Sequence, residues 1–284
     1  MTPNARASGA RENDASAPLP PAAPSTELAA LAQIAEAAGS AILAVRAHGF
    51  QVAYKSDNSP LTQADTAAHD SIVRGLAQAF PGVAVLSEES AAPPYSERAR
   101  LERLFIVDPL DGTKEFVKDN GEFCVCIALA EHGYPALGAV HVPMRAQTYA
   151  GGLGLGAFRR EITPTGPGPW RAISVRQPPH AGLIALASRS HPSPEIDAYL
   201  ALHNVRQRIT AGSALKFCLL AEGQADLYPR FNPTHEWDTA AGQAVLEGAG
   251  GSVLQFVNGE PGQRLAVNTP ELLNGPFLAS AKPL

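Results

Sequence analysis

The stretch "IVDPLDGTKEF", Ile106 to Phe116, leaves an apolar run through Asp-Pro-Leu-Asp and follows at once with Gly-Thr. The run "LFIV" predicts a strand, so Asp108 falls at its end, and Pro109 stiffens the turn by fixing its φ. Two carboxylates three residues apart cannot share one face of a straight strand, where side chains alternate. Around a turn they converge, and the Leu110 carbonyl between them is released from the sheet ladder. Oxygen ligands of this kind suit a hard cation such as Mg²⁺. Gly112 permits close backbone approach, Thr113 opens a helical turn, and the N–H groups there can grip a phosphate. Cation ligands beside anion donors are the combination that phosphoryl chemistry requires. The plainer alternative is an acidic surface turn with Asp111-Gly112 as ordinary turn residues.

Three further acidic sites bear on that choice. "LSEES" sets Glu88 and Glu89 after another apolar run, where a solvated loop is the simpler reading. "HEWDTAAG" sets Asp238 at the start of a helix, a position that N-capping alone explains. Asp65 follows Thr62 by three residues, the spacing of a capping box. If these segments meet, electrostatics limits the outcome, because two carboxylates about 5 Å apart repel by about 3 kcal/mol at an effective dielectric of 20. A group of them must protonate, pair with Lys or Arg, or bind metal, and metal is the economical answer. A phosphatase of the haloacid dehalogenase type would show D-x-D-G-T; here the spacing is D-x-x-D-G-T with proline inside, which favours an activated water over an aspartyl-phosphate.

Outward from this turn, the first half reads as two helices on a largely antiparallel sheet. "STELAALAQIAEAAGSAILAVRAH" predicts the first helix, and "LTQADTAAHDSIVRGLAQAFPG" the second, with Thr62 as N-cap and Pro81-Gly82 as its stop. Hairpins follow from Phe123 to Phe158; the glycines of "GGLGLGAF" mark a tight turn between strands, not a dinucleotide fingerprint, since no helix opens behind them. The Pro- and Gly-rich "EITPTGPGPW" is the candidate joint between domains. Beyond it strands and helices alternate. The expected fold class is therefore α/β: an α+β domain over 25–162 and an α/β domain over 163–284, behind a disordered, proline-rich leader over residues 1–24.

The 284 residues carry a net charge of −5, which argues against a surface built for a nucleic-acid polymer and leaves room for a small anionic ligand. No uninterrupted run of about 18 apolar residues predicts a membrane span. Cys124, Cys126 and Cys218 lack the spacing of a metal site and read as buried small hydrophobes, with cytoplasmic residence as the default. His69 and His191 carry little in this scheme, and "HEWD" lacks the second histidine of a zinc motif.

"DPLDGT", preceded by "SEE" and followed by "WDTAAGQAVLEGAGG", resembles the metal-site signature of the inositol monophosphatase superfamily. "KSDNSPLTQAD", "DPLDGTKEF", "NGEFCVCIAL" and "SALKFCLLAEGQADLYPRF" are similar to its bisphosphate nucleotidase branch, over roughly residues 27 to 282. The resemblance implies a layered αβαβα sandwich and two or three Mg²⁺ per site. It assigns Glu88, Asp108 and the Leu110 carbonyl to a first Mg²⁺, and Asp108, Asp111 and Asp238 to a second. It also implies that Gly112 and Thr113 hold the scissile phosphate and that Asp65 and Thr113 orient the attacking water. Ser213, Lys216 and Arg230 match the nucleotide-contacting region. The function implied is Mg²⁺-dependent removal of the 3′-phosphate of adenosine 3′,5′-bisphosphate (PAP), with PAPS as a further substrate, in the cytoplasm or peripherally on the inner membrane. Two alternatives share these residues: an inositol monophosphatase or sugar bisphosphatase with a different pocket, and a non-catalytic nucleotide- or metal-binding protein. Ala214, the sequence before Asp238 and the proline-rich leader depart from the branch pattern.

Overall fold

Ser25 accepts a hydrogen bond from the Leu28 amide and so caps helix α1 (Thr26–His48) in the computed structural model, which describes residues 21–54, 60–189 and 193–282. By length and composition α1 is apolar enough to cross a membrane, with mean hydropathy 1.7 over its most apolar window, yet half of that window is buried in the protein. Leu28, Leu31, Ile34 and Ile42 all lie in the core, which makes it a core helix. A short hairpin, β1 (Val52–Tyr54) with β2 (Pro60–Thr62), leads into α2 (Gln63–Ala79), capped by Thr62 as expected. The predicted leader falls on residues 1–20, outside the described ones, and on the four that follow.

Next come β3 (Ala84–Ser87), the single turn α3 (Tyr95–Arg98), β4 (Arg103–Asp111), α4 (Thr113–Val117), β5 (Cys124–Glu131), β6 (Tyr134–Val142), β7 (Gln147–Gly152) and β8 (Gly156–Thr163). With β9 (Gly166–Pro167) and β10 (Arg171–Ile173) these strands form an eight-stranded sheet in the order β10-β8-β7-β6-β5-β4-β3, β9 pairing with β8. Only β3 and β4 run parallel in it. The Pro- and Gly-rich stretch 161–170 thus folds back as a hairpin on β8, and the strands of this sheet end at Ile173. Alternation along β4 and β5 explains their unbroken apolar sequences. Phe105, Val107, Val125 and Ile127 face α1 and α2, while Leu104, Ile106, Cys124 and Cys126 face the opposite core. The two cysteines share one face, as their spacing requires, and all three cysteines are free and buried.

The remaining elements are β11 (Leu183–Ser188), α5 (Pro194–Ala201), β12 (Val205–Ala211), α6 (Leu215–Ala221), β13 (Leu227–Arg230), β14 (Thr234–His235), a 3₁₀ turn (Glu236–Asp238) and α7 (Ala240–Gly248). After them come β15 (Ser252–Val257), β16 (Glu260–Arg264), β17 (Leu273–Asn274) and β18 (Phe277–Ser280). Their six-stranded sheet has the order β12-β11-β13-β18-β15-β16. Residues of α6 and α7 share one core with both sheets, and residues of α5 pack with the far face of the second. The layers are therefore α1/α2, first sheet, α6/α7, second sheet and α5, the αβαβα sandwich.

Glycines set the seat of α7. A Cβ at Gly138 on β6 would lie 2.3 Å from the Ala241 carbonyl oxygen, and one at Gly248 would lie 2.7 Å from the Gly152 amide. Backbone thus meets backbone where α7 crosses β6 and β7. Of the "GGLGLG" glycines, read as a turn, Gly151 also serves this close approach, since a Cβ there would lie 3.0 Å from Val245 Cα.

Candidate active site

The strand does not end at Asp108 as expected: β4 runs on to Asp111, which pairs with Cys124, and the expected turn is a bulge whose register shifts between Asp108 and Asp111. A bulge re-aims side chains, and here it brings both aspartates toward one point. Asp108 Oδ1 accepts from the Leu110 amide at 2.9 Å, holding the turn closed. Asp238, on the 3₁₀ turn before α7, arrives from the other side. Single oxygens of Asp108, Asp111 and Asp238 lie within 4.8 Å of one another.

One oxygen of each aspartate is tied to a backbone amide. Asp111 Oδ2 accepts from Ala214 N at 2.5 Å and Asp238 Oδ2 from His235 N at 2.9 Å. The carboxylates are therefore oriented before any ligand arrives. Burial, then the neighbouring carboxylates of Glu88, Asp111 and Asp238, hold Asp108 well above the usual carboxylate range. Burial and the charge of Asp238 push Asp111 up to about 8. Burial raises Asp238 to about 6, with Glu88 adding to the effect against the His235 amide. Lys216 Nζ donates to the Ser213 carbonyl at 2.6 Å, and its charge lowers the pKa values of Asp111 and Asp238 against these effects. The charges of Lys216 and Arg230 offset this only in part, leaving all three pKa values raised, and a massed set of oxygen donors of this kind fits a hard divalent cation.

Around the aspartates lies a cavity of about 200 Å³, lined among others by Glu88, Leu110, Gly112, Thr113, Ser213, Lys216 and Arg230. Asp65 stands behind the wall. Its Oδ2 accepts from Thr62 N at 2.7 Å and Thr62 Oγ1 at 2.8 Å, the capping box, while its Oδ1 accepts from Thr113 Oγ1 at 3.2 Å. Capping and contact with Thr113 are thus served by different oxygens of one carboxylate. Burial raises the Asp65 pKa against the lowering effect of these hydrogen bonds. Gly112, at φ 93°, makes the left-handed turn that only glycine adopts without strain.

The second sheet supplies the other wall. Parallel β12, β11 and β13 are adjacent in that order, and ligands in such sheets bind beyond the carboxyl ends at the reversal of strand order. Ser188 ends β11, Gly212 and Ser213 follow β12, and Arg230 ends β13; all four line the cavity. Ser213 Oγ donates to the Asp111 carbonyl at 2.8 Å. Arg230 Nε donates to the Asn232 carbonyl at 3.0 Å.

Every site residue expected from sequence except Asp65 lines this one cavity, and Asp65 reaches it through Thr113. His69 is packed, its Nδ1 2.9 Å from Ser87 Oγ, and His191 lies outside the described residues. Sequence reasoning passed over Tyr228, whose ring lies 5.2 Å from Lys216 Nζ, and buried Glu115, which also lines the cavity. Tyr228 sits two residues before Arg230 on β13, so strand parity would have placed both on one face.

The profile of the Inositol monophosphatase family matches residues 24–281. The 3′(2′),5′-bisphosphate nucleotidase CysQ of Escherichia coli (strain K12) is 47% identical over 225 residues, 78% of this chain and 87% of that protein. CysQ of Buchnera aphidicola is 39% identical over 253 residues, covering 88% of this chain and 92% of its own. The crystal structure of CysQ from Bacteroides thetaiotaomicron superposes with a TM-score of 0.77 at 39% identity, over 91% of this chain and 98% of the other.

Proposed function

The chain belongs to the inositol monophosphatase family, and from that premise we infer that it is a 3′(2′),5′-bisphosphate nucleotidase, a phosphoric monoester hydrolase. It hydrolyses the 3′-phosphate of PAP to give AMP and phosphate. PAPS carries the same phosphate and is expected to be cleaved as well. The observation that carries this reading is the meeting of Asp108, Asp111 and Asp238 beside the Asp65–Thr113 pair, in a chain 47% identical to a nucleotidase of that activity.

Glu88, Asp108 and the Leu110 carbonyl would hold one Mg²⁺, and Asp108, Asp111 and Asp238 a second. When bound, two or three Mg²⁺ supply charge neutralisation, activation of water and stabilisation of the departing 3′-oxygen. The amides at Gly112 and Thr113 grip the scissile phosphate. Thr113 Oγ1 donates its proton to Asp65, which leaves the hydroxyl oxygen as an acceptor facing the cavity. A water that donates there is aimed at phosphorus, and orientation of this kind is worth about 7–11 kcal/mol at best. Lys216, Arg230 and Ser213 stand at the opposite wall, where their charge and hydroxyl suit the 5′-phosphate and ribose of a nucleotide. Three free thiols accord with a cytoplasmic enzyme.

The test is phosphate release from PAP and from inositol 1-phosphate, side by side, with Mg²⁺. A strong preference for PAP is expected. A preference for inositol 1-phosphate would keep the acidic site and overturn the pocket; release from neither would overturn the reading.

A further inference from the structure

Glu122 sits in the loop that leads into β5, buried, with its carboxylate directed at residues that follow β11 and β12 of the second sheet. Its Oε2 accepts from the Gly212 amide at 2.8 Å and from Arg189 Nε at 2.8 Å, while Oε1 accepts from Arg189 Nη2 at 2.8 Å. Arg189 follows β11 and anchors its own end on β12, donating from Nη2 to the Thr210 carbonyl at 3.1 Å. The fork is bidentate and charge-assisted on both oxygens, a strong and directional contact. It joins the loop before β5 to the ends of β11 and β12, beside Gly212 of the cavity wall, with the Arg189 side chain itself partly exposed.

The held segment is the one that touches Asp111. A Cβ at Gly212 would come within 3.0 Å of Glu115 Cγ and 3.1 Å of Glu122 Cβ, so the turn is clamped between two side chains of the first sheet's side. Ser213 adopts φ 53°, a left-handed conformation that a serine keeps only when its surroundings impose it. From that turn Ser213 Oγ and Ala214 N both donate to Asp111, and the Ser213 carbonyl receives Lys216 Nζ. Asp111 and Lys216 are thus aimed by one turn, and the turn is fixed by Glu122.

We propose that Glu122 and Arg189 form a positioning pair that locks the Gly212–Ser213–Ala214 turn against Asp111 and so tunes the grip of the acidic site on Mg²⁺. This rests on the reading of Asp111 as a metal ligand. Groups that orient metal ligands typically change metal affinity 10- to 100-fold when removed. The pair acts one step further out, and the lower end of that range applies.

The experiment uses the full chain with Glu122→Gln, Arg189→Gln and both together. Mg²⁺ affinity is read by calorimetry without nucleotide, the melting temperature in EDTA, and kcat and KM on PAP. Each single variant is expected to bind Mg²⁺ about tenfold more weakly. The double variant should be no weaker than the singles, since one contact is lost in all three. The metal-free melting temperature should move by about 4 °C or less, and kcat at saturating Mg²⁺ should recover toward wild type. Wild-type Mg²⁺ affinity in the singles overturns the proposal, as does additive weakening in the double variant. A fall in melting temperature with unchanged affinity makes the pair merely structural and overturns it too. Glu122→Asp, which keeps the charge and shortens the reach, should fall between wild type and Glu122→Gln; equality with wild type in the metal titration counts against the geometry. A wild type that binds no Mg²⁺ overturns the proposal together with the metal reading. Because that titration contains no nucleotide, failure on PAP alone would count against the substrate and leave the pair standing.

Discussion

Asp226, Glu247 and Glu36 each face an arginine, whereas Asp108, Asp111 and Asp238 face one another. Asp226 receives Arg176 through Nε at 2.8 Å and Nη2 at 2.6 Å, and takes the Ile184 amide at 2.6 Å as well. Glu36 takes the fork of Arg160 at 2.7 Å on both oxygens, and Glu247 takes Arg264. The first set answers every buried negative charge with a guanidinium, which makes these residues part of the scaffold. In the second set burial raises all three pKa values, and neighbouring carboxylates add to it: Glu88, Asp111 and Asp238 at Asp108, Asp238 at Asp111, and Glu88 at Asp238. The chain plainly has the means to pair a buried carboxylate, either with an arginine or, as at Asp65 and Glu236, with amides and hydroxyls. At the three clustered aspartates one oxygen of each takes an amide and the negative charge is left for a ligand.

The sharpest way to break that contrast is Asp108→Asn. Turnover on PAP should fall at least about a thousandfold, because a ligand shared between two cation sites loses its charge. The melting temperature in EDTA should be unchanged or higher, since repulsion with Asp111 and Asp238 is relieved. Near-normal turnover would remove the metal assignment. Asp226→Ala tests the other set and should do the reverse. Activity per folded molecule stays near wild type while urea denaturation shows a loss of about 3 kcal/mol, the cost of leaving Arg176 and the Ile184 amide without their partner. A variant as stable as wild type would deny the scaffold role.

Acidity gives a smaller and more diagnostic effect. An aspartate whose folded pKa lies above its ordinary 3.8 binds protons more tightly when folded. Its contribution to stability is therefore complete below that value and is lost as pH rises through the folded pKa. With Asp238 at about 6 and Asp111 at about 8, the metal-free protein should lose stability from roughly pH 4 up to roughly pH 8. Mg²⁺ should flatten that slope. Melting temperatures across this range, in EDTA and in Mg²⁺, measure both, and a flat profile without metal would contradict the raised pKa values of Asp111 and Asp238.

The local parts of the site were readable in the sequence because they depend on neighbours along the chain. Pro109 and the three-residue spacing brought Asp108 and Asp111 together, and Thr62 with Asp65 announced the capping box. The two helices and the hairpins of the first half likewise followed from periodicity and caps. Asp238 is different. Its encounter with Asp111 depends on where α7 lies on the first sheet, and only resemblance to a family supplied it. The layering of two sheets about α6 and α7 was equally beyond periodicity, because β4 and β5, buried on both faces, show no polar alternation to indicate a partner. Glu122 and Arg189 meet across 67 residues of sequence, and neither stands in a motif that would announce the other.

The glycines beneath α7 have a consequence for how this protein can vary. The gap between that helix and the sheet is gauged by hydrogen atoms alone at Gly138, Gly151 and Gly248. A single methyl at Gly138 would act as a shim, lifting the helix and drawing Asp238 away from Asp108 and Asp111. Such a change alters no ligand and touches no substrate, yet it would be recorded as a defect in cation binding. The tolerance of the acidic centre is thus written partly into positions that carry no side chain at all.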